Sequence, residues 1–255
     1  MTITTERPAD LHRPPLLRLT RVELRKLVDT RAGAWLLATI GLLNVALVAA
    51  MLVWAPAAER TVEALFYVTL LPIGILLPVL GILSITGEWS QRTALGTFTL
   101  VPRRERVIVA KLAAVVLTAL ASVLVSVAVA VLGGLVAAAT GTPDVWGLPS
   151  LLLWHAVVLQ VTGVLMGAGF GLLLLNTPLA IVTYLFLPIL WSTLGATIPG
   201  LRGPAEWLDT TVTMDPLFGT DVDAGQWGRI GVSLLVWMIL PLAAGTLRTL
   251  RQEVS

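Results

Sequence analysis

Long runs of apolar residues constrain this chain more than any other feature. The segment from Ala34 to Trp54, AWLLATIGLLNVALVAAMLVW, has no charged residue, and its length suits a helix crossing a bilayer, which takes about 20 residues. Further segments of this kind cover about residues 65–85, 107–138 and 150–175, then continue after a turn at Asn176-Thr177-Pro178 to about residue 198, and recur at about 229–247. Only 13% of the residues are charged, against roughly 25% in soluble domains. The sequence therefore predicts an all-α integral membrane protein with six transmembrane helices.

The distribution of basic residues predicts the orientation of these spans. Of the 17 Lys and Arg residues, all but Arg60, Arg202 and Arg229 lie in the N-terminal arm, in the connection between spans two and three, or in the C-terminal tail. Positive residues concentrate on the cytoplasmic side of a membrane. We therefore expect a multi-pass protein of the cytoplasmic membrane with both termini in the cytoplasm, an arrangement that an even number of spans also requires.

The N-terminal arm divides into a mobile leader, residues 1–15, and an amphipathic segment, residues 16–33, ahead of the six-span domain at 34–255. On a helix, the apolar residues of this segment cover an arc of about 120°, with arginines opposite. The apolar set is Leu16, Leu17, Leu24, Leu27 and Val28, and the basic residues of the segment are Arg18, Arg21, Arg25, Lys26 and Arg31. Such a helix beside a span is expected to lie in the membrane interface. A basic flank that only sets topology is the alternative.

The sequence lacks the residues that several kinds of functional site require. The chain has no cysteine, and neither Lys26 nor Lys111 follows a glycine as a phosphate-binding loop requires, so we expect no metal site, no catalytic residue and no bound cofactor. His155 is expected to be a hydrogen-bonded packing residue. No Asp, Glu, Lys or Arg lies in the middle of a span, where Asn44 and Gln160 are the strongest polar groups, and this disfavours an ion-coupled transporter. Nothing indicates a nucleic-acid partner.

Three glycines in span four, Gly163, Gly167 and Gly171, recur every four residues and share one helix face. Small residues at this spacing allow another helix to approach closely. The pattern predicts a helix-packing seam, with a substrate groove as the alternative.

The connection between spans two and three breaks the apolar pattern abruptly. Gly87-Glu88 closes span two, a short helix is predicted over about Ser90–Leu100, and Val101-Pro102 ends it, because the residue before proline disfavours helical geometry. Arginines follow, and Lys111 lies about one turn inside span three. We call residues 87–106 the hairpin; a positive loop without special purpose is the alternative interpretation.

The order of these elements resembles the permease subunits of type-2 ABC exporters. The residues that carry the resemblance are Glu88, Arg92, Thr93, Pro102, Arg103, Arg104 and Lys111. It implies an "elbow" helix before span one and a coupling helix in the hairpin that docks on a separate ATPase. It also implies two ATPase subunits, which bind ATP and Mg²⁺, and a second permease, either another copy or a sister chain. Glu88 is then expected to pair with Arg25, Lys26 or Arg31.

The segment from Pro199 to Gly228 combines tryptophans and leucines with acidic residues. The resemblance implies short re-entrant helices on the outer side, whereas an ordinary solvated loop is the alternative. The function predicted from the sequence is a permease subunit of an ABC exporter for an amphipathic or lipid-like substrate. A membrane scaffold or sensor that transports nothing is the second possibility.

Overall fold

The chain folds into a bundle of helices, with no strand in the parts that the computed structural model describes, residues 15–90 and 104–251. A short helix, α1 (Leu16–Asp29), precedes the long ones. The long helices are α2 (Arg31–Trp54), α3 (Val62–Ser90), α4 (Arg104–Ala139), α5 (Ser150–Leu174) and α6 (Thr177–Thr197), followed by α9 (Ala224–Leu234), a π-helical turn (Leu235–Ile239) and α10 (Leu240–Arg251) in continuous succession.

Within the described ranges, six helical stretches are long and apolar enough to cross a membrane, in agreement with the predicted number of spans. The sixth is the continuous stretch Ala224–Arg251. The predicted bounds are correct to within a few residues. The largest shifts, of five residues, are at the start of span six and at the end of span two, where α3 continues to Ser90 and so includes Gly87 and Glu88.

The turn predicted at Asn176-Thr177-Pro178 separates α5 from α6. Leu175 leaves the helix in the left-handed region, at φ 50°, and Asn176 caps α6 by accepting a hydrogen bond from the Leu179 N–H at 3.0 Å. Pro178 lies in the first turn of α6, where a missing N–H has no helical partner to lose. The two helices therefore follow one another with almost no connection.

Helices α3 and α5 form the centre of the bundle and are its most buried spans. Large side chains of α3 such as Phe66, Ile73 and Leu80 are almost completely enclosed, and Leu152 and Val164 of α5 are equally buried. Within a membrane the lipid is as apolar as these side chains, so close van der Waals packing rather than removal from water holds such helices together.

The glycine seam predicted on α5 packs against α3. A side chain at Gly167 would place its Cβ 2.2 Å from the backbone oxygen of Pro78, closer than any real contact. At Gly171 the nearest atom would be the Ile85 Cβ at 3.2 Å, and at Gly163 the Pro78 Cγ at an ordinary 3.5 Å. The three glycines share one face, and Gly167 makes the closest approach to the partner backbone.

The segment between α6 and α9 is folded into short helices rather than an irregular loop. They are a 3₁₀ turn (Pro199–Leu201), α7 (Arg202–Leu208), α8 (Thr210–Met214) and a second 3₁₀ turn (Asp215–Phe218). Asp209 caps α8, and Asp223 forms a reciprocal capping box with Gln226 at the start of α9. We call the end of the bundle that carries this segment the cap end and the end that carries α1 the hairpin end.

Candidate functional site

The junction between α1 and α2 consists of a single residue, Thr30. Its N–H donates to the Lys26 carbonyl at 3.1 Å and ends α1, while its hydroxyl oxygen accepts from the Gly33 N–H at 3.3 Å and caps α2. Gly33 lies so close to α1 that a Cβ there would be 1.9 Å from the Leu27 oxygen. The predicted amphipathic segment 16–33 therefore forms a helix only as far as Asp29, because Thr30 leaves helical geometry and redirects the chain.

The apolar arc predicted for α1 is divided between two environments. Leu27 is buried together with Thr20 and Glu23, which lie on the same face, whereas Leu17 and Val28 at the other side of the arc are exposed. One half of the arc thus packs on the bundle, and the other half is left uncovered beside the arginines. This arrangement suits a helix that has protein on one side and an apolar medium on another.

Four charged side chains meet where α1, α3 and α4 converge, and we call Glu23, Lys26, Glu88 and Lys111 the ion-pair cluster. The Lys26 Nζ donates to the Glu23 Oε1 and to the Glu88 Oε1, both at 2.7 Å. The Lys111 Nζ donates to the Glu23 Oε2 at 2.8 Å and lies 3.3 Å from the Glu88 Oε1. Each lysine therefore contacts both carboxylates.

The cluster is largely removed from solvent. The side chains of Glu23 and Lys111 are each 7% exposed and that of Glu88 is 14% exposed, whereas Lys26 at 41% forms the open edge. A carbonyl of α3 completes the shell, since the Lys111 Nζ also donates to the Ser84 oxygen at 3.0 Å. Two carboxylates and two ammonium groups balance in charge, which is the condition for burying ions at tolerable cost.

The electrostatics of the cluster favour the charged form of Lys26. Burial alone would lower its pKa, but hydrogen bonds and attraction from Glu23 and Glu88 outweigh burial and raise the pKa of Lys26 above its ordinary 10.5. The lysine therefore stays protonated at neutral pH. Its contacts contribute stability below pH 10.5, and that contribution is lost as the pH rises through the raised value.

A cavity of about 340 Å³ adjoins the cluster. It is lined by all four charged residues and by Thr30, Gly33 and Ser84, with Leu80 and Leu83 on the α3 side. The cluster therefore borders open space on one side.

The structure brings together only some of the residues predicted as functional. The predicted pairing of Glu88 with a basic residue of the N-terminal helix is confirmed, with Lys26 as the partner. The exposed residues Arg18, Arg21, Arg25 and Arg31 extend away from the bundle. Arg92, Thr93, Pro102 and Arg103, together with the predicted coupling helix, lie outside the described residues. Arg104 begins α4, where its Nη1 donates to the Thr249 oxygen at 3.3 Å and so contacts α10.

Sequence reasoning missed Glu23, and it did not place Lys111 in the same site. The available signal was positional, because Glu23 lies at the edge of the apolar arc of α1 rather than among the arginines. An acidic residue at such a position needs a buried cation, and Lys111, the basic residue one turn or two inside span three, supplies it. The interaction joins residues that are 88 positions apart, so no local pattern could pair them.

At the cap end, buried and half-buried neutral side chains bind backbone carbonyls, whereas the ion pair of Arg229 with Glu206, at 3.5 Å, is exposed. The His155 Nδ1 lies 2.7 Å from the Gly219 oxygen, and because a carbonyl only accepts, the histidine donates. The Trp237 indole N–H donates to the Leu208 oxygen at 2.7 Å. His155 is in the second turn of α5 and packs edge-on against Trp227, which confirms the packing role predicted for it. The short helices therefore contact the sides of α5 and of the sixth span.

Fold and site together define a multi-pass helical membrane protein with a buried ion-pair cluster at one end. No model of a known protein family matches the chain, and no curated protein matches it. Any narrower function is therefore a proposal that depends on the geometry.

Proposed function

We propose that this chain is the transmembrane permease subunit of an ATP-driven ABC exporter, docked through the hairpin on separate ATPase subunits. Two such ATPases bind ATP and Mg²⁺, and this chain holds no cofactor of its own. A second permease, either another copy or a sister chain, completes the pathway. Both termini lie in the cytoplasm, and the protein lies in the cytoplasmic membrane.

The observation that carries the proposal is the position of the ion-pair cluster relative to the hairpin. Glu88 lies in the last turn of α3, Lys111 lies two turns into α4, and both bind α1. A force that a partner subunit applies to the hairpin would act on α3 and α4 at the same time. Through Lys26 and Glu23 the same force would reach α1, and through Thr30 it would reach span one.

The geometry of the ion-pair cluster also allows force to pass from the hairpin to α1 while the charges stay paired. Lys111 lies within 3.3 Å of both carboxylates, so a small movement of α1 exchanges one contact for another and leaves no charge unpaired. An isolated buried pair would have to break instead, which costs about 3–5 kcal/mol. A cluster with shared partners can therefore move where a single pair could not.

Co-purification tests the docking. The tagged chain is extracted gently from its native cells, and the eluate is assayed for a bound soluble ATPase. The test variant carries Arg103→Glu and Arg104→Glu, and the matched control carries Arg18→Glu and Arg21→Glu, the same charge change on the exposed face of α1. We expect the ATPase to be lost with the hairpin variant only. Equal loss with both variants, or no ATPase with the unmodified chain, would contradict the proposal and favour the scaffold or sensor.

A second experiment separates docking from transmission. Glu88→Gln removes one carboxylate of the cluster and leaves Arg103 and Arg104 in place. We expect the ATPase to remain bound but its stimulation by substrate to be lost. Intact stimulation in this variant would show that the cluster is structural and that force reaches the spans by another route.

A further inference from the structure

A second cavity, of about 270 Å³, lies inside the membrane-spanning part of the molecule, away from the ion-pair cluster. We call it the Gln160 cavity. Its walls come from the middle of α3 and α5, from Tyr184 of α6, and from α8 with the 3₁₀ turn that follows it. Its volume is close to the lower limit of small-molecule sites, which measure about 300–1,000 Å³.

Some polar side chains on the wall of this cavity, Gln160 among them, make no hydrogen bond within the described residues. Gln160 is only 3% exposed, and no hydrogen bond within the described residues satisfies its side-chain amide. The neighbouring Thr162 differs, because its hydroxyl donates back to the Val158 oxygen at 2.6 Å. A buried amide without a partner costs about 1–3 kcal/mol, so such groups are normally paired. An amide that borders a cavity can obtain its partner from a molecule bound there.

The remaining wall restricts the chemistry of that molecule. None of the described residues that line the cavity is Asp, Glu, Lys, Arg or His, so a bound ion would be buried without a counter-charge among them. Most of the wall is aliphatic or aromatic, and two flexible side chains, Met166 and Met214, can adjust to different shapes. The hydroxyls of Tyr184 and Thr210 are the other polar groups on the lining.

The cavity also has a route that avoids water. Leu71 and Ile75 lie on its rim and are 53% and 56% exposed, although they are in the middle of α3. At that level of a spanning helix the surroundings are lipid or another apolar helix. A molecule dissolved in the membrane can therefore reach Gln160 from the side.

We propose that the Gln160 cavity binds a neutral amphipathic molecule that enters from the membrane. Its amide, ester or hydroxyl group binds the Gln160 side chain, and its apolar body packs against Leu70, Met166 and Met214. This ligand site stands whether or not the chain transports anything. Only the identification of the ligand with an exported substrate depends on the proposed function.

The test is photolabelling of the purified full chain in lipid nanodiscs, without any ATPase. The probe is a long-chain primary alkyl amide with a diazirine in its chain, and the matched probe is an alkyl trimethylammonium ion with the same chain and diazirine. Labelled peptides are identified by mass spectrometry. We expect saturable labelling of cavity peptides by the amide, competed by excess unlabelled amide, and no saturable labelling there by the cation.

Two variants and one control complete the experiment. Gln160→Leu should raise the half-saturating amide concentration about 3- to 10-fold, the effect of one lost hydrogen bond. Gly74→Leu should abolish saturable labelling, because a side chain there meets open space in the cavity. Gly41→Leu, on α2 and equally unobstructed, should change nothing. Non-saturable labelling, equal labelling by the cation, or indifference to both cavity variants would overturn the proposal. Because no ATPase is present, failure of the exporter proposal would leave this result unchanged.

Discussion

The two ends of the bundle are held by different kinds of interaction. At the hairpin end, four charged side chains from three helices pair with one another. At the cap end, the long-range contacts of His155 and Trp237 are neutral hydrogen bonds to backbone carbonyls. Attraction between charges depends mainly on distance, whereas a hydrogen bond to a carbonyl also requires alignment.

This difference suggests that the helices can shift more easily at the hairpin end than at the cap end. Lys26 and Lys111 each contact both carboxylates, so we expect the hairpin end to keep its charges paired in more than one arrangement. His155 and Trp237 each bind a single carbonyl, so we expect a shift at the cap end to break these bonds without replacing them. The comparison predicts that movement concentrates at the hairpin end.

The largest effect should come from removing the most buried cation of the cluster. Lys111→Met leaves two carboxylates with only Lys26, and we expect a loss of about 3–5 kcal/mol in the free energy of unfolding, measured in mixed detergent micelles. The double variant Lys111→Met with Glu23→Gln restores the charge balance and should recover more than half of that loss. If the double variant is as unstable as the single one, charge balance does not stabilise this end.

A somewhat smaller effect is expected at the glycine seam that connects the two ends. Gly167→Ala drives a methyl group into the Pro78 backbone oxygen, and we expect it to cost about 3 kcal/mol, the upper end of typical overpacking penalties. Gly163→Ala is the matched control, because its methyl group makes only an ordinary contact. Thermal unfolding of both variants in the same detergent checks the difference, and equal stability would show that α3 and α5 separate easily.

At the cap end, His155→Phe keeps a ring beside Trp227 but leaves the Gly219 oxygen without its donor. We expect a cost of about 1–2 kcal/mol and faster hydrogen exchange of residues near Gly219. The hairpin end should exchange as before. If exchange rises equally at both ends, they are not independent, and the contrast between them fails.

The smallest effect concerns pH at the open edge of the cluster. Because Lys26 is 41% exposed, solvent screening limits its contribution to below about 1 kcal/mol. The raised pKa keeps Lys26 charged at neutral pH, so the unmodified chain should exceed Lys26→Met in stability by a constant amount up to about pH 10, and the gap should close at higher pH. Unfolding of both proteins across this range measures the gap. A gap that widens with rising pH would mean that the lysine is neutral in the fold.

Much of the fold follows from local features of the sequence. Length and apolarity locate the six spans, and Asn176 and Pro178 locate the turn between α5 and α6. The apolar arc of residues 16–28 locates α1. Each of these features acts within a few residues. The pairing of Glu88 with a basic residue of α1 is instead expected from the resemblance to a known family, which leaves Arg25, Lys26 and Arg31 as alternatives.

The remainder depends on contacts between distant segments. Glu23 has an ordinary place on an amphipathic helix, and only the position of α4 makes it half of a buried pair. The seam glycines are alike in sequence, and only the course of α3 makes Gly167 the close one. The π-helical turn before Pro241 and the contact of Trp237 with Leu208 likewise depend on how the sixth span meets the short helices of the cap end.

The joint at Thr30 has a mechanical consequence. A single residue separates α1 from α2, and both its N–H and its hydroxyl form hydrogen bonds. Gly33 also lies against the Leu27 oxygen, so the joint is tightly packed. A helix of 14 residues is about 21 Å long, so a displacement at its free end produces a torque about this joint. A flexible linker would not transmit this torque to α2, whereas a joint of one residue transmits it. We therefore expect span one to move together with α1 rather than independently of it.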